Sequence, residues 1–323
     1  MKKKNKLLFQ LIIIMSLFIM TLYSCKNKRE DTIKIGVLDG PSAVSFIQLI
    51  DKQTYVDSKR IEIIVKSDPL QIQALMMREE IDFSILPTIM AANLYNKGLK
   101  YKVAACPIWG TLYLLTNEKG IDINHLSNHK ISVFGQASTS DILLRRYLNQ
   151  KYIKSCSIDY THTTNHELAQ ALKMKTINLA VVSEPLVSIL IAQDPSINIV
   201  AKINCEDYIN SLNKDIFVQT SFLISNKFIA NYPALAPKVC ELYSKSCNFV
   251  NEQPEATAKL LVKHNFSPNI QIAKASLPLC NIQYVAAFAI QQELTKYLNI
   301  FYQFNPKSIG GKIPDKDFIF QTY

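Results

Sequence analysis

The sequence predicts an α/β protein of two lobes, each a mostly parallel sheet flanked by helices, joined by two hinge crossovers. Three observations predict it: β-rich runs alternate with segments of helical period, the series begins again near Lys130, and an extended apolar segment stands at the end of each series. At 323 residues and 48% hydrophobic composition, the chain is long enough to bury a core in each of two domains.

The first series starts with "IKIGVLDGPSAVSFIQLID", where Ile33 to Leu38 reads as a strand and Asp39-Gly40-Pro41-Ser42 as a turn. Ala43, Phe46, Ile47 and Ile50 then recur at helical spacing. "RIEIIVKSDPLQIQALMM" repeats the pattern, with Ser67 and Asp68 as caps and Pro69 at the favoured first helical position. In "IDFSILPTIMAANLYNKG" a strand over Ile81 to Leu86 meets Pro87, Thr88 reads as the helix cap, and Gly98 ends the helix. A fourth strand, "YKVAAC", follows.

From Lys130 the order recurs in "KISVFGQASTSDILLRRYL", "CSIDYTHTTNHELAQALKM", "INLAVVSEPLVSILIAQ" and the strand "INIVAKI". Pro107 to Asn117 and Asp215 to Asn226 are the extended segments that cross between lobes. Beyond Asn226 the sequence turns helical, around Pro237 to Val250, Pro254 to Lys263 and Val285 to Tyr302, a tail that returns to the first lobe. The division is then 33–110 with 221–323 for lobe I and 111–220 for lobe II.

The first residues, "MKKKNKLLFQLIIIMSLFIMTLYSC", have a basic start, an apolar run from Leu7 to Leu22, and a small residue before Cys25. That layout is an export signal over 1–24 whose end resembles a bacterial lipobox, with Cys25 lipidated and 25–32 a tether. The alternative, an uncleaved transmembrane anchor, asks for about 20 apolar residues, more than this run supplies. Either way the expected location is extracytoplasmic, anchored to a bacterial membrane on its periplasmic face.

Loss of Lys2, Lys3, Lys4 and Lys6 with the signal takes the formal net charge from +10 to +6, with no block of like charges, which argues against nucleic acid as a partner. Besides Cys25 there are cysteines at 106, 156, 205, 240, 247 and 280. They show neither CxxC nor zinc-ligand spacing and read as buried small hydrophobes. His162 and His166 are separated by loop-and-cap chemistry, so they do not share a helical face. No metal and no cofactor is expected.

In open parallel sheets, ligands collect at the carboxyl ends of strands, where helix N-termini present unpaired N–H groups. The first lobe offers Asp39, Gly40, Ser42, Ser67, Asp68, Pro87 and Thr88 there. The second offers Gly135, Ser138, Thr139, Ser140, Thr163, Thr164, Asn165, Ser183 and Glu184. Asp68 and Asn165 read first as caps, whereas three consecutive hydroxyls in "GQASTSD" exceed what one cap requires. Trp109, the single tryptophan, stands beside Gly110 in the first hinge segment, placed either to fill a core or to stack on a planar ligand.

The ordered set "IKIGVLDGPSA", "IDFSILPTIMAANLYNKG", "WGTLYLL", "SVFGQASTSDILLRRYL" and "LAVVSEPLVSIL", with the ending "PKSIGGKIPDKDFIF", resembles the solute-binding proteins of ABC importers. The likeness is to the nitrate/sulfonate/taurine-type family, which includes thiamine-precursor binders, and it spans residues 33 to 323. It implies a type II periplasmic-binding-protein fold, a monomer that closes on a small-molecule solute, and an ABC permease as partner. It also implies solute contacts at Gly40, Ser42, Pro87, Thr88, Trp109, Gly110, Ser138, Thr139, Ser140 and Glu184. Asp39, Asp68 and Glu184 put three possible negative charges at these corners, which points away from sulfonate or nitrate and towards a neutral or cationic heterocycle.

Two other classes are weighed. An enzyme on the same fold, like certain menaquinone-pathway proteins, is disfavoured because G-x-S-x-G, P-loop, G-x-G-x-x-G and H-E-x-x-H patterns are all missing. A tethered interaction or adhesion module predicts an exposed apolar patch and no pocket.

Overall fold

A computed structural model describes residues 32–203 and 217–321. The expected signal, Cys25 and all but the last residue of the tether lie outside the described residues, as does Cys205. Residue 32 already stands in the first strand. Among the described residues no helix is long and apolar enough to cross a membrane.

The strands are β1 (Thr32–Leu38), β2 (Tyr55–Val56), β3 (Lys59–Lys66), β4 (Phe83–Pro87), β5 (Tyr101–Ile108), β6 (Leu112–Thr116), β7 (Lys130–Ser132), β8 (Ser157–Asp159), β9 (Leu179–Ser183), β10 (Asn198–Lys202), β11 (Thr220–Ser225) and β12 (Ile282–Ala286). The helices are α1 (Pro41–Ser45), α2 (Ile47–Asp51), α3 (Pro69–Met77), α4 (Thr88–Asn96), α5 (Thr139–Gln150), α6 (Asn165–Lys173), α7 (Leu186–Gln193), α8 (Asn226–Asn231), α9 (Leu235–Glu252), α10 (Pro254–Lys263), α11 (Ile270–Ser276) and α12 (Gln291–Phe304).

Two sheets result, ordered β12-β5-β11-β4-β1-β3-β2 and β10-β6-β9-β7-β8. The parallel character is narrower than the sequence suggested: β3-β1-β4 and β8-β7-β9 are parallel, and the other pairs are antiparallel. Connectivity is the reason. β6 and β11 carry the chain across from the other sheet and enter at the cleft end, where Leu112 pairs with Ser183 and Thr220 with Pro87, so they run against the strands of the βα units.

The first crossing is short, residues 109–111, and the described residues 217–219 lead the second into β11. The expected lobe boundary at 110/111 falls inside the first, and the one at 220/221 falls one residue into β11.

Aromatic side chains join the first sheet to its covering helices. Phe46 stacks on Tyr243 at 4.0 Å between centroids, and Phe83 lies 5.3 Å from Phe222. Each such ring, fully buried, contributes roughly 2–3 kcal/mol of apolar transfer free energy. Cys106, Cys240, Cys247 and Cys280 are buried free thiols in these interiors, and Cys156 is half-buried and free.

The helical tail packs on the first sheet, with two corrections. The helix expected from Val285 begins at Gln291, because Val285 and Ala286 pair with Cys106 and Ala105 and extend the sheet at its β5 edge. A helix that the sequence reading did not anticipate, α11, is capped by Asn269, whose carboxamide oxygen accepts the Ile272 amide at 2.9 Å. It packs against α7 of the second lobe and brings the two lobes into contact.

Candidate functional site

The corner after β1 is built by its own backbone. The Asp39 amide donates to the Lys66 carbonyl at 2.9 Å, which staples the turn to β3, and Asp39 Oδ1 accepts the Gly40 amide at 2.7 Å. Gly40 has φ 91° and ψ −146°, a combination that suits glycine, and Pro41 then opens α1. At the next corner Asp68 accepts the Leu70 amide at 2.9 Å as the cap of α3, leaving its exposed neighbour Ser67 facing the space between the lobes.

On the opposite side α6 begins at Asn165. Its cap is Thr164, whose hydroxyl accepts the Glu167 amide at 3.1 Å, and not Asn165 as the sequence suggested. Asn165 is freed to tie α6 to the end of β9: its Nδ2 donates to Ser183 Oγ at 2.8 Å and its Oδ1 accepts the Ser183 amide at 3.1 Å. Glu184 follows, completely buried, with Ser188 donating to its carboxylate from the amide (3.2 Å) and hydroxyl (3.0 Å) at the start of α7.

These corners enclose a groove of about 410 Å³ between the lobes. Asp39, Gly40 and Ser67 form one wall and Asn165, His166 and Glu184 face them, while the loop His264–Pro268 closes a third side. A side-chain contact crosses the groove: His166 Nε2 lies 2.7 Å from Asp39 Oδ2.

The electrostatics differ from a ring of three free carboxylates. Burial by itself would raise the Asp39 carboxyl, but the His166 hydrogen bond and charge together with the Gly40 amide hold it below the usual range. The same hydrogen bond raises His166, against burial. Burial pushes Glu184 up to about 7, with the two Ser188 bonds acting the other way. Asp68 faces its own helix. Of the three acids expected at the corners, one is paired, one is a cap, and one is pushed by burial up to about 7.

Among the expected positions, Asp39, Gly40, Ser67, Asn165 and Glu184 come together in this groove, whereas Ser42, Asp68, Pro87, Thr88, Trp109, Gly110, Ser138, Thr139 and Ser140 do not line it. Ser42 is buried in α1. Thr88 is no cap: Pro87 stands at that position, and the Thr88 hydroxyl is buried 3.0 Å from Ser221 Oγ. Trp109 donates its indole N–H to the Gln283 carbonyl at 2.8 Å, and the Gly110 carbonyl accepts from Asn281 Nδ2 at 2.6 Å, so both are tied to the β12 edge.

The hydroxyl trio divides its work. Ser138 caps α5 by accepting the Asp141 amide at 3.3 Å and lies 3.0 Å from Ser140 Oγ, whereas the buried Thr139 hydroxyl has no hydrogen-bond partner. Sequence reasoning missed His166 and the wall His264–Pro268. His166 was legible only as the residue after a cap cluster, and nothing local in the sequence signals that the 264–268 loop reaches the second lobe.

No family profile matches the chain, and no curated protein does. Solved structures do. The crystal structure of an ABC transporter from Parabacteroides distasonis is 31% identical, with TM-score 0.77, covering 91% of this chain and 100% of that one. The periplasmic aliphatic sulphonate binding protein SsuA of Escherichia coli shares the fold at 17% identity and TM-score 0.70, over 91% of this chain and 93% of its own. The periplasmic nitrate-binding protein NrtA of Synechocystis shares it at 13% identity and TM-score 0.59, over 76% of this chain and 69% of its own.

Proposed function

Because the chain belongs to the family of ABC-transporter substrate-binding proteins, we propose that it is an extracytoplasmic receptor that captures a small solute in the groove between its lobes. Closure over the solute presents the shut form to an ABC permease. The observation that carries this reading is the groove itself, with walls supplied by strand corners of both sheets, so that a bound solute touches both lobes at once. A ligand that contacts both lobes favours the closed state by its differential affinity for that state. The protein acts as a monomer tethered to the membrane through lipidated Cys25.

Glu184 supports a reading of the solute's charge. Its carboxyl is fully buried, among the described residues it accepts hydrogen bonds from Ser188, and Asp39 across the groove is already engaged by His166. A buried carboxylate without a cation is costly. A solute that brings a protonated nitrogen, or a neutral heterocycle with an N–H donor, relieves that cost, while sulfonate or nitrate adds to it. Asp39, Gly40, Ser67, Asn165 and Glu184 are the contacts proposed.

The test is native mass spectrometry of the protein after mild purification, followed by thermal-shift screening of the solute found. A copurified cationic or neutral heterocycle that stabilises the wild type and not Glu184→Ala supports the assignment. A sulfonate or nitrate bound with equal strength by both proteins overturns the charge assignment. No stabilising solute across a broad library overturns the receptor.

A further inference from the structure

We infer that Asp39 and His166 form a proton-dependent latch that holds the two lobes shut across the groove, with His166 as the positioning residue and Asp39 as its anchor. The inference rests on the reading of the groove as a cleft that opens and closes, but it concerns how closure is regulated and not what is captured.

The anchor is rigid. Asp39 is held by the Lys66 carbonyl through its amide and by the Gly40 amide through Oδ1, so Oδ2 is left aimed across the groove. The reaching group is also fixed, since His166 is the second residue of α6, a helix start set by the Thr164 cap and by Glu167, which accepts the Thr163 amide at 2.7 Å. The partners lie 127 residues apart, Asp39 in the turn after β1 of one sheet and His166 on the helix that leads to β9 of the other, and separating the lobes must break their 2.7 Å contact. Neighbouring ion pairs do not do this: Lys263 and His264 with Asp51, and Lys274 with Glu255, stay within one lobe.

Proton dependence follows from where the imidazole stands. The first turn of a helix disfavours a cation, so it is the Asp39 carboxylate that raises His166 in the closed form. In the open form an unpartnered imidazole titrates near an ordinary value of about 6.5. Closing raises that value, so the latch contributes fully below the open-state value and is lost as pH rises through the closed-state one. At the acid end it fails when Asp39, held low by the pair, takes up a proton.

Other titratable groups face or flank the pair. Glu184 and His264 line the same groove, and Lys66, Asp68, His162 and Glu167 stand on the adjoining turns. His264 is occupied by Asp51 at 2.7 Å, Asp68 by its helix and Glu167 by Thr163. Glu184 titrates in the same range and must be separated by mutation.

The experiment is hydrogen exchange of the full chain, without solute, at about pH 5.5 and about pH 8.5 with intrinsic rates corrected, read at the groove walls 184–189 and 264–268. Half-exposed pairs of this kind are weak, so protection in the wild type is expected to fall about two- to fivefold at the higher pH. His166→Gln, which keeps a hydrogen-bonding group without a charge, is expected to be flat with pH, and Asp39→Asn likewise. A histidine-ring titration by NMR in the same samples is expected to show His166 returning towards its ordinary value in Asp39→Asn. Equal protection at both pH values overturns the latch, as does His166→Gln with the wild-type dependence, which would place the effect at Glu184. Either of those results leaves solute capture standing.

Discussion

Gln219 Oε1 accepts the Thr111 amide at 2.8 Å, and its Nε2 donates to the Thr111 hydroxyl at 3.0 Å, so the two strands that cross between the lobes are tied to each other. Thr111 is fully buried, and its carbonyl accepts the Glu184 amide at 3.1 Å, which links the hinge to the groove. Gln219→Ala leaves a buried N–H without a partner, a loss of about 1–3 kcal/mol. Thermal unfolding is expected to shift down by several degrees, and Gln219→Glu, which retains the acceptor, is expected to shift it less.

Gly40 sets the direction of Asp39 through backbone conformation alone. At φ 91° an alanine is strained, yet a Cβ there would meet nothing nearer than the Glu184 carbonyl oxygen at 3.6 Å. Gly40→Ala is therefore expected to cost about 1–3 kcal/mol from strain and not from collision. A crystal structure of the variant is expected to show the corner re-aimed with the Glu184 side unmoved, and a displaced β9–α7 corner would contradict this account.

Local chemistry made much of this legible in the sequence. Asp68-Pro69 reads as a cap and first helical turn because both requirements lie within two residues, whereas Ser138, read with Thr139 and Ser140 as a ligand contact, serves as the cap of α5. β1, β4 and β9 are apolar runs bounded by turn residues. What stayed hidden is decided by partners far along the chain: Thr88 finds Ser221 133 residues away, and Asp39 finds His166 127 residues away. Glu184 reads as a charge by its letter, and only burial shows that the charge is half withdrawn. β12 was hidden for a related reason, since Tyr284 and Val285 suit either structure until the free edge of β5 selects the strand.

The loop before α5 is braced by one carboxylate. Asp141, 3% exposed, accepts the Ala137 amide at 2.7 Å, Arg145 Nε at 2.8 Å and the Tyr160 hydroxyl at 2.7 Å. Ala137 sits at φ 60°, so that hydrogen bond holds a conformation alanine seldom adopts. Asp141→Ala removes the acceptor of all three and frees the strained Ala137 turn, and is expected to cost about 2–4 kcal/mol in urea denaturation. Arg145→Ala is expected to cost under about 1 kcal/mol, because the guanidinium is substantially exposed and water replaces its bond.

Glu184 gives stability its pH dependence. Its carboxyl titrates at about 7 in the folded protein against an ordinary 4.5, so between those values the native state holds a proton that the unfolded chain has released. Stability therefore falls as pH rises through that window and levels off above it, by an amount on the order of 2 kcal/mol. Urea denaturation at about pH 5 and about pH 8 is expected to show the difference in the wild type. Most of it should vanish in Glu184→Gln, which cannot ionise, and the residual slope should be that of the Asp39–His166 pair, whose contribution also declines with rising pH. A cationic solute reverses the sign at this one group: it favours the ionised carboxylate, so binding near neutral pH expels a proton. Calorimetry in two buffers of different ionisation enthalpy is expected to detect that release in His166→Gln, where the latch takes up no compensating proton. A heat identical in both buffers would leave Glu184 outside the contact with the solute.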